Sequence, residues 1–144
     1  MRVISGSAKS LRLKAPKTHK VRPALDKVKG AIFNILGDIN ELKVLDLFGG
    51  TGSVGIEALS RGANSCVFIE ADRQIAAYIH ENLRHCQLES HSDVWIAKVE
   101  RAIPLLHKKQ QKFDLIFIDP PYHRGLVNRT LETLQQFPLF EDQC

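Results

Sequence analysis

Cysteine is scarce in this chain of 144 residues, and its three copies are odd in number. Cys66, Cys86 and Cys144 share no metal-ligand spacing, so neither a disulfide framework nor a zinc knuckle is indicated. Reduced thiols are expected, two of them in or near the core. No apolar run approaches the roughly 20 residues that a membrane helix needs. The start, Met1-Arg2-Val3-Ile4-Ser5-Gly6, lacks the apolar stretch of a signal peptide. The expectation is a cytoplasmic protein with no membrane partner. Internal repeats and low-complexity segments are missing too. The nearest approach to a metal motif is His80-Glu81-Asn82-Leu83-Arg84-His85. Its histidines are five apart, not the four of the zinc-protease helix, so they face away from each other on a helix surface.

Acids are nearly absent from one end. Residues 1–30 hold nine Lys or Arg and only Asp26, whereas residues 31–144 hold eleven basic and fifteen acidic residues. A basic arm on an acidic body points to a polyanion partner, and the concentration of cations at one end favours nucleic acid over an ordinary solvated face or flexible tail. The candidate phosphate contacts are Arg2, Lys9, Arg12, Lys14 and Arg22.

What is present is a regular alternation. Val3-Ile4-Ser5 and Leu11 to Lys14 suggest a small β-hairpin turning over Gly6 to Ser10. Thr18 to Pro23 reads as a basic linker, and Ala24 to Leu36 as a helix whose apolar face is Leu25, Val28, Ile32, Ile35 and Leu36. Strands follow at 43–48, 66–70, 94–98 and 113–118. Helices intervene at 54–61, 72–85 and 100–109, and a last one spans 126–136. The second of these is capped by Asp72 and turns Ile75, Ile79 and Leu83 to one side. Such alternation implies an α/β fold, a Rossmann-like doubly wound parallel sheet with strand order 3-2-1-4. The expected division is a basic hairpin and linker over 1–23, followed by one domain over 24–144.

Two motifs carry chemistry. Gly50-Thr51-Gly52-Ser53-Val54-Gly55 fits G-x-G-x-x-G between a strand and a helix, and Glu70 lies twenty residues beyond Gly50 at the next strand end. Alone, this fits a nicotinamide dinucleotide as well as any other adenosine ligand. Asp46, four residues before Gly50, would repel a pyrophosphate but suits a cationic ligand. The second motif is Asp119-Pro120-Pro121-Tyr122, which closes the apolar run of the fourth strand. Chance produces this tetrapeptide in fewer than about one chain in a thousand. The prolines lack N–H groups and hold Asp119 and Pro120 extended, so the backbone offers carbonyl acceptors beside a carboxylate. That donor-poor corner suits an exocyclic NH2, with Tyr122 as a ring for a base to stack on. The plain alternative is a strand that ends in a proline turn. With order 3-2-1-4 the two motifs share one crevice.

Asp46-Leu47-Phe48-Gly49-Gly50-Thr51-Gly52 resembles the first motif of S-adenosylmethionine-dependent methyltransferases. Asp119-Pro120-Pro121-Tyr122 resembles the [N/D]-P-P-[Y/F] motif of those acting on exocyclic amines. Arg2-Val3-Ile4-Ser5-Gly6, Leu11 to Leu13, Arg22-Pro23, Lys27-Val28-Lys29, Ala31-Ile32-Phe33-Asn34 and Gly55 to Ala63 together are similar to the RsmD-like family of 16S ribosomal RNA guanine-N2 methyltransferases. The resemblance implies S-adenosyl-L-methionine as cofactor. Asp46, Phe48, Gly49, Gly50, Thr51, Gly52, Glu70, Ala71, Glu100 and Asn34 would lie on its side, and Asp119, Pro120, Pro121 and Tyr122 at the target amine. It implies ribosomal RNA or a small-subunit assembly intermediate as partner. Three departures stand out: Ala24 where the family usually has Thr, Glu100 as the one candidate acid after the third strand, and four parallel strands where the family has seven. The fourth strand is therefore expected at an unprotected edge, which could pair with a second copy. Other readings of the same residues are a methyltransferase for DNA adenine or a protein glutamine amide, a nicotinamide oxidoreductase, and an RNA-binding module without catalysis.

Overall fold

The computed structural model describes residues 1–17, 23–121 and 125–140, with the side chains of 23–25 excepted. Arg22, Tyr122 and Cys144, and most of the expected linker, lie outside the described residues.

The chain alternates as expected: α1 (Pro23–Leu36), β1 (Lys43–Asp46), α2 (Ser53–Ser60), β2 (Ser65–Glu70), α3 (Arg73–His85), β3 (Ser92–Ile96), α4 (Val99–Lys108), β4 (Leu115–Phe117) and α5 (Leu126–Gln136). The four strands are parallel in the order β3-β2-β1-β4. Right-handed crossovers from a first strand outward, then back across it, generate this order. Residues of β1 are among the most buried: Val44 and Leu45 are sealed from solvent on opposite faces of the sheet. One face packs against the hairpin, Phe33, α2 and α3, and the other against α4 and the Leu139 region. Asp72 caps α3 by accepting from the Gln74 and Ile75 N–H groups. Ile79 and Leu83 face the core below it. Cys66 and Cys86 are buried free thiols, and His80 and His85 are exposed.

Three expectations are corrected. β3 begins at Ser92 rather than Val94, because its register is set by pairing Cys66 with Ser92 through Glu70 with Ile96. Polar Ser92 and Asp93 hide that start from a pattern of apolar residues. β4 spans only Leu115–Phe117, and all three residues are half-buried rather than buried. β1 is its neighbour on one side; on the other, Phe140 makes a parallel bridge to Phe113 and the Phe113 N–H donates to the Leu139 carbonyl at 2.7 Å, so the edge expected to be unprotected is covered at its start. In α1, Val28, Ile32, Ile35 and Leu36 are exposed, Ile35 at 85%, while Lys29 and Phe33 are buried. The buried face is rotated by about 100° from the apolar stripe, because a polar pairing described below holds it.

At the start of α2, Gly55 lies against β2. A Cβ there would fall on the Phe68 ring and 2.8 Å from Cys66 Sγ. Both neighbours are buried, so there is nowhere to yield. Gly55→Ala is expected to lower stability by about 2–3 kcal/mol, measured as a fall in the denaturation midpoint.

Candidate active site

Asp46 ends β1, and the register aligns it with Phe68 on β2 and Phe117 on β4. Glu70 and Asp119 each lie two residues beyond those partners. The strand period of two therefore brings three carboxylates to the carboxyl edge of three adjacent strands. Ligands bind at this end of an open parallel sheet, where the strand order switches.

Each carboxylate sits differently. Asp46 is buried, and its Oδ2 has no hydrogen-bond partner. Burial pushes its pKa up from 3.8 to about 7; the Gly55 and Phe48 N–H groups pull it down, and the Asp119 and Glu70 charges add to the rise. Glu70 is half-buried and braces the glycine loop. Its Oε1 accepts from the Gly50 N–H at 2.9 Å and its Oε2 from the Asp72 N–H at 2.8 Å, leaving each oxygen a further lone pair. Asp119 is exposed and Pro120 half-buried beside it.

The loop from Gly49 to Gly52 is closed by a 2.9 Å hydrogen bond from the Gly52 N–H to the Gly49 carbonyl. Gly50 and Gly52 take φ values of 58° and 91°, a region that β-carbons disfavour. Open space lies where a Cβ on Gly50 would point, so a ligand can approach the backbone there. Thr51 is buried, Phe48 half-buried and Ala71 exposed. Asn34 on α1 and Glu100 in the first turn of α4 are exposed, and no hydrogen bond among the described residues ties either to the loop.

The basic candidates Arg2, Lys9, Arg12 and Lys14 are all exposed on the N-terminal segment. An antiparallel bridge pairs Arg2 with Arg12, extended by hydrogen bonds from the Val3 N–H to Leu11 and from the Leu13 N–H to Met1. Val3 and Leu13 point inward, so alternation leaves the cations outward.

Sequence reading missed several buried polar side chains, Lys29, Glu57 and Asn82 among them. Their signal was positional. Lys29 lies one helical turn before buried Phe33, and Asn82 falls on the Ile79 and Leu83 face. A polar residue on a core-facing helix position requires a partner.

A cavity of about 340 Å³ lies at the opposite end of the sheet, lined by Ser65, Ser92, His91 and Trp95 among others. It is remote from the carboxylates. No group of three or more potential metal ligands occurs among the described residues, nor is any helix there long and apolar enough to cross a membrane.

A parallel sheet in this order, with a glycine loop after its first strand and acids ending the first two, defines a class: the Rossmann-like methyltransferase fold. The solved structure of the provisionally assigned methyltransferase YhhF of Escherichia coli matches it with a TM-score of 0.83 at 30% identity, over 99% of this chain and 75% of that one. The chain belongs to the family described as Conserved hypothetical protein 95, the RsmD family, whose model matches residues 1–144. It is 39% identical over 143 residues to the provisionally assigned rRNA methyltransferase YlbH of Bacillus subtilis, covering 99% of this chain and 78% of that protein. To the ribosomal RNA small subunit methyltransferase D of Escherichia coli it is 33% identical over 147 residues, covering all of this chain and 71% of that protein.

Proposed function

We propose that this protein transfers a methyl group from S-adenosylmethionine to the exocyclic N2 amine of a guanine in small-subunit ribosomal RNA. The observation that carries this reading is the unpartnered, buried Oδ2 of Asp46 at an acidic strand edge, two residues short of the Asp-Pro-Pro level. A buried acceptor without a donor is unfavourable, and a cationic amine would satisfy it. S-adenosylmethionine brings such an amine, and it supplies an electrophilic methyl on a sulfonium. The names of the RsmD relatives support RNA of the small subunit as the acceptor.

In this reading Asp46 holds the amino group of the methionine moiety. Backbone from Phe48 through Gly49, Gly50, Thr51 to Gly52 packs on the cofactor. Glu70 accepts from ribose hydroxyls, with Ala71, Asn34 and Glu100 on the same side. The target guanine leaves its stack to reach the strand edge. Asp119 and the Pro120 carbonyl accept from its N2 hydrogens and turn the nitrogen lone pair towards the methyl. Pro121 keeps the corner extended, and Tyr122 offers a stacking face. Catalysis then rests on positioning and electrostatics. Asp119 need not be a full base, since the proton can pass to solvent after the methyl has moved. Arg2, Lys9, Arg12, Lys14 and Arg22 meet phosphates, which makes RNA binding weaken steeply with salt.

The test offers methyl-labelled cofactor with unmodified 16S RNA, assembled small subunits, DNA and protein, followed by nucleoside mass spectrometry. Label in N2-methylguanosine is expected. Label on adenine N6 or on a glutamine amide would replace guanine as target, and RNA binding without label would make the protein a binding module.

Cofactor affinity should follow the titration of Asp46. The ionised form pairs with the amine, so affinity rises by about tenfold from pH 6 to pH 8 if the group titrates near 7. The cofactor-free protein runs the other way. Its Asp46 pKa is raised above the unfolded value, so the contribution of this group to stability is full below about 4 and is lost as pH climbs to about 7. Calorimetry at three pH values checks the first effect, and a flat affinity would remove Asp46 from the amine.

A further inference from the structure

The basic hairpin and the glycine loop are far apart in sequence but joined by two buried side chains. Asn82, 1% exposed on α3, uses its whole amide. Its Oδ1 accepts from the Lys14 N–H at 2.7 Å, and its Nδ2 donates to the Lys14 carbonyl and the Thr51 carbonyl, both at 2.9 Å. Lys29, 4% exposed on α1, donates to the Arg2 carbonyl at 2.7 Å and to Ser53 Oγ at 2.9 Å. Two different helices thus make the same connection. Each ties the backbone of an outward-facing cation, Lys14 or Arg2, to a residue flanking Gly52.

The hairpin's own pairing is short: one bridge joins Arg2 and Arg12, flanked by the Val3–Leu11, Leu13–Met1 and Ser10–Val3 hydrogen bonds. A two-stranded ribbon of that length is marginal alone in water, so its place depends on what it rests on: Glu57 and Ser60 of α2 hold its turn end, while Lys29 and Asn82 hold the backbone of Arg2 and Lys14. In the loop, Glu70 braces Gly50 and Asn82 holds the Thr51 carbonyl, while Gly50 and Gly52 have the widest backbone freedom of any residue. Whatever orders one of these segments therefore removes freedom from the other through Asn82 and Lys29. The first ligand to bind bears that ordering cost and the second binds more tightly.

We propose that Asn82 and Lys29 are positioning residues that couple the hairpin to the glycine loop, so that RNA held on Arg2, Arg12 and Lys14 strengthens cofactor binding and the cofactor strengthens RNA binding. This rests on the reading above, with the loop as cofactor site and the hairpin as RNA-facing arm.

The experiment measures the dissociation constant of S-adenosylmethionine for this chain by calorimetry, with and without a saturating single-stranded RNA oligonucleotide at fixed low salt. In the wild type RNA tightens cofactor binding by about fivefold or more, and cofactor tightens RNA binding by the same factor, as linkage requires. In Asn82→Ala and in the milder Ser53→Ala, which leaves the Lys29 contact to Arg2 in place, that factor falls towards one. A purely structural role would weaken the separate affinities and leave the factor intact, and this result overturns the proposal. Equal cofactor affinity with and without RNA in the wild type also overturns it, while leaving the methyltransferase reading standing. No cofactor binding in either condition overturns both.

Discussion

Asp119→Ala is expected to reduce methyl transfer to unmodified small-subunit RNA by about a hundred- to a thousandfold, the usual loss when one preorganised polar partner of the reacting centre is removed. Cofactor affinity should stay close to wild type. Asp119 is exposed at the end of β4 and makes no side-chain hydrogen bond among the described residues, so the fold does not depend on it. Its loss has a secondary effect of known sign. The Asp119 charge helps to raise the Asp46 pKa, so removing it lets Asp46 ionise at lower pH. The cofactor should then bind equally or slightly more tightly at pH 6. Single-turnover assays with labelled cofactor, beside calorimetry, separate the two effects. Wild-type turnover in the variant would eliminate the carboxylate from amine recognition, and a parallel loss of cofactor affinity would move it to the cofactor side.

Glu57→Ala should lower stability by about 3–5 kcal/mol, the range for breaking a buried ion pair from one side. Glu57 is wholly buried in α2. It accepts from the Ile4 N–H at 2.8 Å, the Ser5 N–H at 3.1 Å and Arg61 Nε at 2.8 Å, and it lies 3.5 Å from Lys29 Nζ. Alanine would leave two N–H groups without their acceptor and a buried ammonium without its counter-charge. Burial already holds the Lys29 pKa below its ordinary value against the pull of Glu57 and Asp26. With the Glu57 charge gone, the lysine would tend to neutralise. Domains hold only about 5–15 kcal/mol in total, so the variant should stand near the edge of folding. Adding Lys29→Met to Glu57→Ala should recover part of the loss, because the unpaired cation goes with its partner. Chemical denaturation of both variants measures this, and an unchanged midpoint in Glu57→Ala would show that the cluster contributes nothing net.

Much of the architecture was legible in the chain. Val44 to Asp46, Cys66 to Glu70 and Leu115 to Phe117 are short apolar runs between turn residues, and helices of the right length separate them. Alternation and crossover handedness leave few strand orders, and the order 3-2-1-4 was among them. The juxtaposition of Asp46 and Asp119 follows from it. Less legible were β3, whose polar start carries no strand signal, and α1, whose apolar stripe misdirects. Counting apolar residues assumes that the buried face is the oily one. In α1 the face is chosen by Lys29 finding Glu57, Ser53 and the Arg2 carbonyl, with Phe33 one turn along against Phe117 at 5.7 Å.

Local sequence therefore determined the elements, the glycine loop, the donor-poor corner and the excess of cations at one end, since periodicity, proline and glycine geometry and charge act over a few residues. Only the tertiary structure decided that Asp46 is buried with an unpartnered oxygen, that Glu70 braces Gly50, and that Asn82 and Lys29 join the hairpin to the loop. Those facts depend on contacts between residues 20 to 68 positions apart. Burial and the pairing of polar groups across such separations are properties of the packed chain, which no local pattern encodes.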